Sequence, residues 1–441
     1  MAIKFYNTLS RKKEDFKPLN NKQVGFYVCG PTVYDSGHLG HARTYIVFDM
    51  IRKHLENSGY KVKFILNITD VHDDIIKKAK IENTTIKKIS DKFAKEFLNE
   101  IDILKIKRAD KYPRVSEYIN EIIKFIKTLV DKEYAYEKDG SVYFDVSKFN
   151  EYGKLSRRKL EKAKSGERIN VDKYERDEAA DFALWKKTQP DDKKVGASWD
   201  SPWGSGRPGW HIECSVMSET LLGKQFDIHG GAKDLIFPHH ENEIAQSEAA
   251  TSKSPFVKYW IHSGLLTVNK QKMSKSLGNF ITIKDILKKY SPSVIRFWVL
   301  NAHYRSPLDY SEKALEQAKI GLERIDNFIE NNENKDENSE EDIINALDND
   351  FNTPKAIASI FKIIKEKKDV AIVKKYRDLF FGKKEKHDKI IKKEITNLIK
   401  KYNKARKEKN YSESDKIRKE IQEQGYVVQD TPNGTKVISA T

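Results

Sequence analysis

His38 and His41 lie between a short β-rich run and a helical pattern. Val24–Val28 reads as a strand, Gly30-Pro31 breaks it, and Ile46, Val47, Met50, Ile51 and Leu55 follow at helical spacings. Gly37 and Gly40 between them would let a phosphate approach the backbone at the positive end of a helix. Two imidazoles there can donate hydrogen bonds to phosphoryl oxygens as charge develops. A glycine-containing turn with two exposed histidines would have the same letters. A second motif, Lys272-Met-Ser-Lys-Ser276, has two lysines and two serines before Gly278. Such a loop can neutralise a polyphosphate, although surface loops of this composition are common in lysine-rich chains.

A third group has the chemistry of a metal site. Cys29 precedes the turn of the first motif, and Cys214 lies in Trp210-His-Ile-Glu-Cys214. His239 and Glu243, at i and i+4 after Pro238, share a face if a helix begins there. Two thiolates, an imidazole and a carboxylate can hold zinc. Without a Cys-x-x-Cys spacing, two buried thiols beside a polar helix start are the reading that spacing alone favours.

The elements that must position these residues alternate as β/α on both sides of an insertion. Residues 1–115 form a first half, with a buried-type strand at Lys63–Ile68 and helical spacing over Asp91–Leu104. Residues 116–205 are the connective insertion, with a helix at Ile119–Leu129, a strand at Ser141–Val146, and a charged, loop-like stretch from Ser156 to Val195. Trp199, Trp203 and Trp210, set among proline and glycine, form too constrained a segment for a linker. Residues 206–266 form the second half, with a helix through Val216–Leu221, a strand at Phe226–His229 and a helix after Pro238. The fold class expected is α/β, a split Rossmann-type nucleotide-binding domain with its ligand at the C-terminal strand ends. Residues 267–310 bridge to a helical bundle over 311–394, within which Glu330–Asp342 reads as a solvated loop. Residues 395–441 form a small mixed α/β unit, with a helix opened by Ser412-x-x-Asp415 and a hairpin turning at Asn433-Gly434.

The 441 residues suffice for roughly three domains. With 38% hydrophobic and 34% charged residues, no apolar run approaches the roughly 20 residues of a membrane helix. Two cysteines exclude a disulfide framework, and the lysine-dotted start lacks a signal peptide's apolar segment, so a cytoplasmic location is expected. A net charge of +16 permits a nucleic-acid partner, and the basic residues are densest over Lys383–Lys409.

The two phosphate motifs together resemble the ATP-binding signatures of class I aminoacyl-tRNA synthetases. Tyr27-Val-Cys-Gly-Pro-Thr-Val-Tyr-Asp35, Gly206–Ser215, Phe226-Asp-Ile-His-Gly-Gly231 and Phe237–Gln246 resemble the cysteinyl-tRNA synthetase family nearly residue for residue, over essentially the whole chain. The resemblance implies that Cys29, Cys214, His239 and Glu243 hold one zinc ion that binds the thiolate of substrate L-cysteine. It implies that Trp210 and Thr32 contact that substrate over a floor completed by His229 and His240. His38 and His41 would face the phosphates of Mg-ATP with Lys272 and Lys275, while Gly40, Gly231 and Asp234 line the nucleotide site. In the tail it ties Arg406, Tyr411 and Asp415 to anticodon reading on the cysteine tRNA.

Three departures stand out. Leu39 replaces the usual isoleucine, a volume-conserving change. The helical region is shorter around Ile363–Lys393, which bears on the route of the tRNA arm, and Tyr411 stands where some relatives have tryptophan. An exposed helix pair with ordinary charges is the alternative reading of the three tail residues. The activity implied is adenylation of cysteine followed by transfer to tRNA, by an enzyme expected to act as a monomer. An ATP-dependent ligase joining cysteine to a small amine could share the catalytic half but has little use for residues 395–441. An RNA-binding regulator descended from a synthetase would have eroded signatures, and these are intact.

Overall fold

The computed structural model describes residues 2–158, 181–273, 278–333, 340–366, 369–384, 386–408, 410–423, 426–431 and 434–439. Its centre is a four-stranded parallel sheet ordered Val257–Ser263, Phe226–Ala232, Gln23–Val28, Lys61–Leu66. The middle pair joins strands from opposite sides of the insertion, with Tyr27 opposite His229. Alternation along Gln23–Val28 sends Phe26 and Val28 to one face, while Tyr27 and the following Cys29 join the core on the other. The carboxyl ends of the two middle strands thus run straight into the residues expected to do chemistry.

The first-signature helix, Leu39–Asn57, lies on the Phe26 face and buries Leu39, Ile46, Met50, Ile51 and Leu55. It also buries polar residues, because the sheet covers one side and the helical region another. Asp49 pairs with Arg296 at 2.7 Å, and His54 with Asp348 at 2.9 Å. Helices Glu312–Asn331, Glu341–Asp348, Thr353–Glu366 and Val370–Phe381 share this same apolar core. Of the loop expected over Glu330–Asp342, residues 334–339 lie outside the described residues; helices reach Asn331 and restart at Glu341.

Two expectations need correction. The stretch from Ser156 to Val195 is not loop throughout: Phe182–Lys187 is a strand in an antiparallel sheet with Ala135–Lys138, Ser141–Phe144 and Gly206–Pro208. Its Phe182, Leu184 and Trp185 are buried in the core that also holds Tyr27, Cys29 and Cys214, so burial outweighs the charged flanks. Residues 159–180 lie outside the described residues. In the tail, the second helix is Tyr411–Glu423, and its cap is Asn410 rather than Ser412. Asn410 Oδ1 accepts from the Glu413 N–H at 3.2 Å, which draws the helix start ahead of the expected box.

The tail has a small core of its own, built from Ile395, Leu398, Tyr402, Ile417, Ile421 and Val428. Its first helix, Lys386–Lys407, runs through the division expected between residues 394 and 395. The strands Tyr426–Thr431 and Gly434–Ser439 pair antiparallel, as the hairpin signal predicts.

Candidate active site and metal centre

The first-signature helix starts with a reciprocal cap. His38 Nδ1 accepts from the His41 N–H at 3.3 Å, and His41 Nδ1 accepts from the His38 N–H at 3.4 Å. Each Nδ1 is therefore an acceptor, which leaves the proton on Nε2 in the neutral tautomer of both rings. The rings stack with centroids 3.7 Å apart, and a Cβ at Gly40 would come within 2.9 Å of the His38 ring, so glycine is what this stack requires. Burial, then the neighbouring His38, holds the His41 pKa well below its ordinary value. His41 is thus a neutral hydrogen-bond donor at a helix N-terminus.

Lys272 ends the strand Gln271–Lys272, which pairs with Leu266–Val268. Lys275 lies outside the described residues. The segment beyond returns to the first signature: Leu39 N–H donates to the Ile281 carbonyl at 3.0 Å, and Ile283 N–H to the Gly37 carbonyl at 2.9 Å. Gly231 lies at the carboxyl end of its strand, and Asp234 in the turn Lys233–Ile236 that follows. A Cβ on Gly231 would sit 2.7 Å from the His240 ring.

The metal-like residues converge from three segments. Cys29 follows the strand Gln23–Val28, which also leads into the first signature, Cys214 lies on the helix Trp210–Leu222, and His239 and Glu243 lie on the helix His239–Thr251. Cys29 Sγ is 3.9 Å from Cys214 Sγ and 3.9 Å from Glu243 Oε1, while His239 Nε2 is 3.1 Å from the same oxygen. One ligand atom from each of the four residues lies within 4.8 Å of the others, and all four residues are buried. Sulfurs about 3.8 Å apart suit a tetrahedral ion with metal–sulfur bonds of about 2.3 Å. The electrostatics agree with that fit. Burial pushes the Cys29 thiol up, with Cys214 and Glu243 adding to it, whereas the hydrogen bond with Cys29 pulls Cys214 down to about 6. Two thiols and a carboxylate crowded out of water compete for negative charge, and a dication relieves that conflict.

Trp210 packs on His239 with ring centroids 4.6 Å apart, one turn from Cys214. Thr32 bridges to Thr69 beside the same strand end. His229 Nε2 lies 2.8 Å from Glu243 Oε2, and His240 Nε2 3.3 Å from Cys29 Sγ. A second grouping, Cys29, His229, His240 and Glu243, therefore overlaps the first. Sequence reasoning missed His211, whose Nδ1 is 2.9 Å from His239 Nδ1, and His262, 2.8 Å from His240 Nδ1. The position of His211 within Trp210–Cys214 could have flagged it; nothing local marks His262. In the tail, the Arg406 guanidinium lies over the exposed Tyr411 ring at 5.6 Å, and Asp415 follows one turn later.

Comparison with known proteins agrees with this geometry. Residues 15–320 match the family model described as the class I tRNA synthetase (C) catalytic domain, and residues 342–372 match the DALR domain. Two solved structures share the fold at low identity. Mycobacterium tuberculosis methionyl-tRNA synthetase with methionyl-adenylate has a TM-score of 0.57 at 13% identity, over 78% of this chain and 82% of that one. The Agrobacterium radiobacter LeuRS–tRNA–LeuAMS ternary complex also has a TM-score of 0.57, at 10% identity, over 83% and 85%. Fold and catalytic-domain match define the class I aminoacyl-tRNA synthetases. The cysteine–tRNA ligase of Thermococcus gammatolerans is 48% identical over 475 aligned positions, covering 99% of this chain and 98% of its own. The chain belongs to the cysteine–tRNA ligase family, enzymes that take an amino acid, ATP and tRNA as substrates. Among the described residues, no helix is long and apolar enough to cross a membrane.

Proposed function

We propose that Cys29, Cys214, His239 and Glu243 hold zinc, and that this site selects cysteine for a two-step reaction run by the two signatures. The observation that carries the reading is the approach of the four ligand atoms to within 4.8 Å of one another. Zinc, when bound, supplies a soft Lewis acid that prefers a thiolate to a neutral hydroxyl. Trp210 covers one side of the substrate and Thr32 contacts it, while His229 and His240 back the ligands.

In the first step, a carboxylate oxygen of cysteine attacks the α-phosphorus of Mg-ATP, and the bond to the bridging β-phosphate oxygen breaks. Cysteinyl-adenylate forms and pyrophosphate leaves with the bond electrons. His38 and His41 donate through Nε2–H to the phosphates, joined by Lys272 and Lys275, while Gly40, Gly231 and Asp234 shape the nucleotide site. In the second step, the terminal 2′-hydroxyl of tRNA attacks the acyl carbon, loses its proton, and AMP leaves. Among the described residues, no side chain near the site stands out as a general base, so the residues act by positioning and charge stabilisation. Arg406, Tyr411 and Asp415 serve the anticodon, where an aromatic ring can stack on an unpaired base. The enzyme works as a cytoplasmic monomer, and its chain divides into a split catalytic domain, insertion, helical bundle and a tail that begins with the helix Lys386–Lys407.

Cysteine-dependent ATP–pyrophosphate exchange, with metal analysis of the same sample, tests this reading. Exchange specific to cysteine with one zinc per chain supports it; full exchange from metal-free protein contradicts it.

A further inference from the structure

Arg43 stands on the first-signature helix shortly after His41 and is 2% exposed. Its guanidinium donates to the backbone carbonyls of Leu265 and Ser306, with the Tyr304 carbonyl at 3.5 Å. Burial pulls its pKa down to about 10, with no carboxylate raising it. A buried guanidinium satisfied by carbonyls alone is costly to maintain, and an aliphatic side chain would fill the space for less. The backbone it grips accounts for its presence.

Leu265 immediately precedes the strand Leu266–Val268, whose hairpin partner carries Lys272. Ser306 lies just before Leu308–Tyr310, which pairs in parallel with that same strand. Gly264 donates to the Tyr304 carbonyl at 2.7 Å, and a Cβ there would come within 2.2 Å of the Ser306 carbonyl oxygen. Beside Arg43, Thr44 Oγ1 is 3.3 Å from Ser263 Oγ. The helix of the first signature therefore holds the root of the hairpin that begins the second. At the downstream end, the Leu39–Ile281 and Gly37–Ile283 backbone bonds do the same, with His38 bridged to Thr282.

We propose that Arg43 is a positioning residue for adenylation, its fork fixing the Leu266–Lys272 hairpin relative to His38 and His41. This rests on the reading that both signatures act on one ATP. Three carbonyls presented to one group require a planar fork, and an ammonium at the same place cannot reproduce it.

The test uses full-length enzyme with Arg43→Lys, Arg43→Ala and, in parallel, His41→Ala. Pyrophosphate-exchange kcat, the KM values for ATP and cysteine, and the melting temperature are measured, and Arg43→Ala is titrated with guanidinium. Arg43→Lys should lose about 10²-fold in kcat, the size of effect expected when reacting groups are slightly misplaced. Its cysteine KM should hold while the variant stays folded at the assay temperature, and guanidinium should restore part of the Arg43→Ala rate. If Arg43→Ala does not fold, the lysine variant decides alone. A native kcat in Arg43→Lys overturns the proposal, as does a loss that tracks unfolding and cysteine KM and that guanidinium does not relieve. A silent His41→Ala would instead remove the two-signature reading beneath it.

Discussion

His229 Nε2 lies 2.8 Å from Glu243 Oε2, both residues fully buried, so the carboxylate proposed as a metal ligand has its second oxygen held by an imidazole from the neighbouring strand. Partners of this kind orient a ligand and commonly contribute about 10–100-fold in metal affinity. His229→Ala should lose metal to a chelator more readily by about that factor, while His239→Ala should fail to retain it. Competition with a chromophoric chelator measures both. Equal metal affinity in native and His229→Ala enzyme would remove the supporting role of His229.

The reciprocal cap occupies Nδ1 of both signature histidines as an acceptor and leaves Nε2–H to donate. His41→Ala should lower the adenylation rate by about 10²–10³-fold, as loss of a donor to developing charge does elsewhere. Lys275→Ala should act in the same direction. Cysteine affinity should hardly change in either, because the donors matter most as pyrophosphate leaves. Parallel losses of cysteine affinity and rate would contradict a transition-state role.

The tail packs around its own core of Ile395, Leu398, Tyr402, Ile417, Ile421 and Val428, so its removal leaves the two larger cores intact. Enzyme truncated before Lys386 should keep cysteine-dependent pyrophosphate exchange and show a strongly raised KM for tRNA. Charging at the native KM would show that the tail does not contribute to tRNA binding.

Glu100 is 5% exposed beneath Gly37, where a Cβ would come within 2.1 Å of its carboxylate. Burial pushes this carboxyl up to about 7 from 4.5, Glu96 adds to the rise, and the Gly37 backbone partly offsets it. The folded chain thus binds this proton more tightly than the unfolded chain. Its contribution to stability is fully present below the unfolded value of 4.5 and is lost as pH rises through about 7. Glu100→Gln should therefore flatten the fall in melting temperature across that window and gain most on native enzyme above it. The same midpoint difference at either end of the window would contradict this account.

Local spacing made part of the site legible. His239 and Glu243 are one turn apart, and a helix starting after Pro238 makes their 3.1 Å approach a local consequence. The strands at Gln23–Val28, Lys61–Leu66 and Phe226–Ala232 were marked by apolar runs for the same reason. Cys29 and Cys214 meet through the order of the central sheet, which spacing does not encode; only the family resemblance pointed to the pair. Phe182–Lys187 was hidden because its charged surroundings mask three residues buried by tertiary contact. Arg43 reads as an ordinary polar helix residue, since what it binds lies more than two hundred positions away.

The central claim is that a metal at Cys29, Cys214, His239 and Glu243, rather than an editing site, separates cysteine from serine. The two substrates differ by one atom, and an apolar pocket would discriminate such near-isosteres by only about 10²-fold. The most direct measurement is titration of cobalt-substituted enzyme with each amino acid while following thiolate-to-metal charge transfer. Cysteine should produce a saturable band and serine none, with Cys214→Ser losing both the metal and the response. Metal-free enzyme that activates cysteine at full rate, or a band that serine produces equally, would contradict the account.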